Sequence, residues 1–110
     1  MDRKTQLNQE LKRILVIIER DYKPEQIILF GSLAHGTVHE WSDIDLVIVR
    51  KSALRFIDRI GEVLRLTHPQ VGFNVVVYTP EEVAQMEESN NYFWRDEIIG
   101  KGKVLYERAA

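Results

Sequence analysis

Apolar residues at Leu7, Leu11, Ile14, Leu15, Ile18 and Tyr22 recur at helical spacing and predict an amphipathic first helix that ends before Pro24. The period then changes. Ile27-Ile28-Leu29-Phe30 is a short run of strand-forming residues cut off by Gly31. Leu46-Val47-Ile48-Val49 reads as a strand buried on both faces, and Phe73-Asn74-Val75-Val76-Val77-Tyr78 as a third strand. Between them, Ser52 is placed to cap a helix carrying Leu54, Ile57, Ile60, Gly61 and Leu64, closed near Thr67-His68-Pro69. Thr79-Pro80-Glu81-Glu82 is a helix entrance, with proline at the first helical position and acids in the first turn. Ser89-Asn90-Asn91 breaks that helix, Tyr92 to Ile99 predicts another, and Gly102 to Glu107 a closing strand. Helices and strands alternate. The expected class is α+β in two layers: one domain over residues 1–110, with a small mixed sheet covered by helices chiefly on one face.

The candidate chemistry lies where the first two strands meet their turns. Gly31 and Ser32 follow a strand and open the short segment Leu33-Ala34-His35, which Gly36 stops. Ser32 is the expected N-cap of that segment. A glycine there lets a phosphate approach the backbone N–H groups, and the serine hydroxyl adds a hydrogen bond. A Gly-Ser turn alone is more often structural. The second feature raises its value. Asp43 and Asp45 stand at the mouth of the next strand, two residues apart, so they share a face with Val47 and Val49. Their Cα atoms lie about 7 Å apart, which lets their oxygens converge on one hard cation. Two like charges on one face of an apolar strand are costly without a counter-ion.

Gly31-Ser32, Gly36 and Ser42-Asp43-Ile44-Asp45-Leu46 together resemble the signature of the DNA polymerase beta-type nucleotidyltransferase superfamily, most closely its minimal nucleotidyltransferase group. The resemblance spans nearly the whole chain and implies the nucleotidyltransferase fold. It also implies transfer of a nucleoside monophosphate, AMP by preference, from a nucleoside triphosphate to an acceptor hydroxyl, with release of pyrophosphate. Two magnesium ions would supply the electrostatics. Gly31 and Ser32 would hold the triphosphate, and Asp43 and Asp45 would bridge the metals. Members of this group often pair with a small helical HEPN-type protein in toxin–antitoxin systems, where some resemble enzymes that adenylylate a tyrosine of the toxin. Such a partner, or a second copy of the chain, would supply the acceptor wall that larger relatives carry in an added domain.

One position departs from that pattern. Asn74 stands where the family carries a third aspartate. An amide offers a neutral carbonyl oxygen and cannot act as a base. Nucleotide and magnesium binding should survive, with the acceptor-side ion weakened and transfer slowed by about 2–4 kcal/mol of transition-state stabilisation. An enzyme with impaired turnover and a binding module for nucleotide or a helical partner therefore both remain open. His35 replaces an arginine common among relatives and reads as an exposed turn residue ahead of a phosphate contact. His39 and His68 lack partners at metal-ligand spacing and are expected to face solvent.

The charge balance narrows the partners. With 15 basic and 17 acidic residues the formal net charge is −2, which argues against a protein that grips nucleic acid by its backbone. Arg50, Lys51, Arg55 and Arg59 are the densest basic group and are expected to form a solvated helix face. The absence of cysteine excludes disulfides and thiolate metal sites. Ile14-Leu15-Val16-Ile17-Ile18 is too short to span a membrane, and the expected location is the cytoplasm. Trp41 either stacks on a base or covers the turn, and Tyr92-Phe93-Trp94 is expected in a core or interface.

Overall fold

The computed structural model describes residues 2–109. Helix α1 (Arg3–Ile17) starts from an Asp2 side chain that accepts a hydrogen bond from the Thr5 backbone, and it continues as one wider π-helical turn, Ile18–Tyr22. Lys23, in the left-handed region, closes it before Pro24. Strand β1 (Gln26–Phe30), helix α2 (Gly31–His35), strand β2 (Ile44–Val49), helix α3 (Phe56–Thr67), strand β3 (Phe73–Tyr78) and helix α4 (Pro80–Glu88) follow. A π-helical segment, Phe93–Gly100, and strand β4 (Lys103–Glu107) complete the order.

The four strands form one mixed sheet in the order β3-β2-β1-β4. Strand β1 runs antiparallel to both β2 and β4, whereas β2 and β3 are parallel. The parallel pair requires a crossover, and α3 supplies it. Because strand side chains alternate, β2 serves two environments. Ile44, Leu46 and Ile48 enter the larger core, which also holds Leu7, Ile14 and Ile18 from the first helix and Val63 from α3. Val47 and Val49 point the other way and meet Trp94 and Ile98 of the Phe93–Gly100 segment. Leu46, Val47, Ile48 and Val49 are all buried, as the apolar run predicts.

Two polar clamps fix the ends of the crossover. Glu10 accepts from Arg13 Nε at 2.7 Å, from Arg13 again at 2.8 Å, and from the Gln70 backbone at 2.5 Å, tying α1 to the loop that leads into β3. The Arg13 guanidinium holds the Glu10 carboxyl below the usual range, against the opposing effect of burial. At the other end Arg59, only 7% exposed, donates to Leu54 O, Val77 O and Glu82 Oε1. The expectation of a solvated basic face holds for Lys51 and Arg55, which are exposed, and fails for Arg59. Arg59 is buried because two carbonyls and a carboxylate satisfy its fork, and Arg50 stacks 4.1 Å above the Tyr22 ring.

Three further expectations meet local detail. Thr79 and Glu82 form a full capping box at α4. Ser52 does bond a backbone N–H, that of Leu54, but only as a turn; α3 begins at Phe56 without a side-chain cap, so Leu54 lies outside it. The aromatic triplet divides, with Trp94 buried, Phe93 part-exposed and packed edge-on against Phe30, and Tyr92 mostly exposed. Among the described residues, no helix is long and apolar enough to cross a membrane.

Candidate active site

The site forms where β1 ends and β2 begins, on the face of the sheet that carries Val47 and Val49. The antiparallel register sets Phe30 opposite Asp45, which brings Gly31 beside that carboxylate. Gly31 adopts φ +74°, a conformation that favours glycine, and a Cβ there would overlap Asp45 Oδ2. The parallel register sets Asn74 directly beside Asp45 on the same face. Asn74 Nδ2 donates to Asp45 Oδ1 at 2.9 Å. Burial raises the Asp45 pKa above the ordinary carboxylate value and the nearby Asp43 charge adds to that; the Asn74 hydrogen bond opposes both.

Asp43 sits one residue before β2. The bond from Ile44 N to Gly72 O, 3.0 Å, draws the loop ahead of β3 against it. A Cβ on Gly72 would overlap the Asp43 carboxylate, so this glycine leaves the space that the carboxylate occupies. Arg3 of α1 reaches the same place. Its Nε donates to Ser42 O at 2.8 Å, and its NH2 lies 3.6 Å from Asp43 Oδ1.

Ser32 is placed differently from the expected N-cap. Helix α2 starts at Gly31 with Phe30 in the cap position and no side-chain cap, so Ser32 lies inside its first turn. The Ser32 hydroxyl donates to Ser42 Oγ at 2.9 Å, and Ser42 Oγ also accepts from the His39 backbone. Ser32 therefore ties the glycine turn to the loop carrying Asp43.

The structure thus brings together Gly31, Ser32, Asp43, Asp45 and Asn74. Sequence reasoning missed Arg3 and Gly72. Gly72 left a faint signal, as a glycine just ahead of a strand; Arg3, some forty positions away, left none. His35, His39 and His68 are exposed, and Trp41, 79% exposed, covers nothing.

Among the described residues no three His, Cys, Asp or Glu side chains cluster as a metal site. Two carboxylates nonetheless suit magnesium, which is commonly held by one or two protein carboxylates together with substrate phosphates. The glycine cradles at positions 31 and 72 keep the carboxylates free of side-chain crowding. The donor set fits one hard divalent ion on Asp43 and Asp45, and a second only weakly, because Asn74 supplies no charge.

The profile of the family described as "Polymerase beta, Nucleotidyltransferase" matches residues 9–110. The chain belongs to this nucleotidyltransferase family. No curated protein matches it. Among solved structures, a "putative nucleotidyltransferase" from Sulfolobus solfataricus is similar with a TM-score of 0.67 and 18% identity, over 96% of this chain and 84% of that one. That likeness establishes the α+β nucleotidyltransferase fold. A toxin–antitoxin structure with AMP-PNP (TM-score 0.46, 21% identity) covers 86% of this chain and 72% of its own. The toxin–antitoxin MntA-HpeT mutant (0.47, 20%) covers 90% and 73%.

Proposed function

We propose that the chain binds a nucleoside triphosphate, ATP by preference, with magnesium on Asp43 and Asp45, and transfers the nucleoside monophosphate to an acceptor hydroxyl at an attenuated rate. The carrying observation is the juxtaposition of Asp43, Asp45 and Gly31 at one mouth of the sheet, in a chain of the nucleotidyltransferase family.

The proposed transfer joins the acceptor oxygen to the α-phosphorus and breaks the bond to the β-phosphate bridging oxygen; pyrophosphate leaves and the acceptor proton is lost. A divalent ion held there would neutralise phosphate charge. Gly31, without a side chain, lets a ligand approach the turn closely, and Asp45, held by Asn74, presents its second oxygen beside it. What the chain lacks is a group to take the acceptor proton at position 74. An amide is neither anionic nor basic, and this one already spends a donor on Asp45. The same bond favours a second reading, a nucleotide-holding module that works through a protein partner, a HEPN-type helical protein or another copy of the chain. The two readings share the binding step and differ in turnover.

Asn74→Asp tests this. Label from α-labelled ATP, magnesium and co-purified protein should move to protein about 30–1000 times faster in the variant, equivalent to about 2–4 kcal/mol. Unchanged transfer with nucleotide still bound removes the assigned role of position 74. Absence of magnesium-dependent nucleotide binding in both proteins defeats the proposal as a whole.

A further inference from the structure

Helix α1 opens with a local anomaly. Behind the Asp2 cap its first turn carries Arg3 and Lys4 and no acid of its own, although the positive end of a helix dipole disfavours cations there. Such a conflict between local preference and sequence is expected where a residue serves a site. Arg3 does not extend into solvent to escape the dipole. Its side chain is 23% exposed and turned onto the candidate active site. One nitrogen is anchored on the backbone just before Asp43, at 2.8 Å from Ser42 O, and NH1 donates to Gln6 in its own helix at 3.0 Å. The third nitrogen, NH2, lies 3.6 Å from Asp43 Oδ1, beyond ordinary hydrogen-bond length. The guanidinium is therefore tethered by its other nitrogens and only leans on the carboxylate.

We infer that Arg3 is an internal counter-cation of the metal site, occupying Asp43 electrostatically until a divalent ion displaces it. This rests on the proposed metal role of Asp43 and Asp45. Each carboxylate is matched by a different device when no metal is bound: Asp45 by the Asn74 amide, Asp43 by the Arg3 guanidinium. Between them the two carboxylates and Arg3 carry a single net negative charge, too little to hold a dication firmly on its own. The phosphates of a nucleotide restore the missing charge. The site therefore takes its ion efficiently with the nucleotide and poorly ahead of it, and Arg3 sets that order. Because Arg3 acts through Asp43 and Ser42, it is a positioning residue. The anchor on Ser42 O lets NH2 swing off Asp43 without releasing the loop.

Titration with Mn2+ alone, read by electron paramagnetic resonance without nucleotide, decides the matter. Arg3→Gln should tighten Mn2+ binding about 3–10-fold, Arg3→Lys should leave it near the starting value because the charge stays, and the gain should shrink as salt rises. A purely structural Arg3 gives the opposite sign: Arg3→Gln loosens the Asp43 loop and weakens Mn2+, or changes nothing. Either result overturns the inference while leaving the metal site standing, provided Asp45→Asn abolishes the signal. If Arg3→Gln and its combination with Asn74→Asp bind no Mn2+ without nucleotide, Arg3 is not what holds the ion off and the inference falls; if no variant binds Mn2+ even with ATP present, the metal reading itself is wrong. Circular dichroism melts on the same samples confirm that each variant is folded.

Discussion

Neighbouring residues of β2 face two different worlds, and the contrast explains how a small sheet holds both a core and a site. On one side Ile44, Leu46 and Ile48 are fully buried against α1 and α3. On the other, Val47 and Val49 are covered by Trp94 and Ile98, but two residues upstream the same face opens and carries Asp45 beside Asn74. The polar bookkeeping differs too. The α1 and α3 side is pinned by Glu10 and Arg59, each with its hydrogen bonds met. The other side holds Trp94 Nε1, buried without a partner among the described residues. Strand alternation keeps stability on one face and leaves the second free to spend burial on a charged group. If that division is correct, substitutions on the two faces should separate stability from metal binding.

The largest effect is expected on the core face. Ile48→Ala removes a fully buried side chain and should cost about 2–5 kcal/mol, measured by urea denaturation. Mn2+ affinity of the fraction that remains folded should be unchanged, since Ile48 points away from Asp45. A loss of metal affinity comparable to the loss of stability would show that the faces are not independent.

The core face was the readable part of the sequence. Periodicity places the first helix and the buried strand, and proline with first-turn acids places the helix entrance at Thr79, because each depends on neighbours a few residues away. The Asp43 and Asp45 pair was equally legible, being set by spacing along one strand. What stayed hidden depends on pairing between distant segments. Arg59 looks like part of a basic surface run until β3 and α4 bring Val77 O and Glu82 to it. Ser32 reads as a cap until Ser42 is found within hydrogen-bond reach. Gly72 and Arg3 acquire meaning only once the β2–β3 register and the α1 approach to the Ser42 loop exist.

Gly72 offers an intermediate test of the site face. In Gly72→Ala the new methyl must displace the Asp43 carboxylate, which an exposed backbone position otherwise tolerates easily. The expected cost in stability is about 1–2 kcal/mol, within the usual range for a single strained contact. Mn2+ binding should fall far more than stability does, because the methyl takes space beside a proposed ligand. Equal binding in the variant and the parent would place the ion away from Asp43 and break the assignment of this face.

The smallest effect runs in the opposite direction, and pH fixes its sign. Asp45 has a folded-state pKa raised chiefly by burial, so ionising it is harder in the folded chain than in the unfolded one. Between the unfolded and the raised folded pKa the native state holds the extra proton. Stability therefore falls as pH rises through that window, and the full penalty is present above it. Asp45→Asn removes the penalty while keeping an oxygen for the Asn74 donor. At neutral pH the variant should melt higher than the parent, with metal binding abolished. Below the ordinary carboxylate range both side chains are neutral and the gap should close. A variant that melts lower at neutral pH would mean Asp45 is a net stabiliser, and the site face would then be held together by the charge that burial penalises.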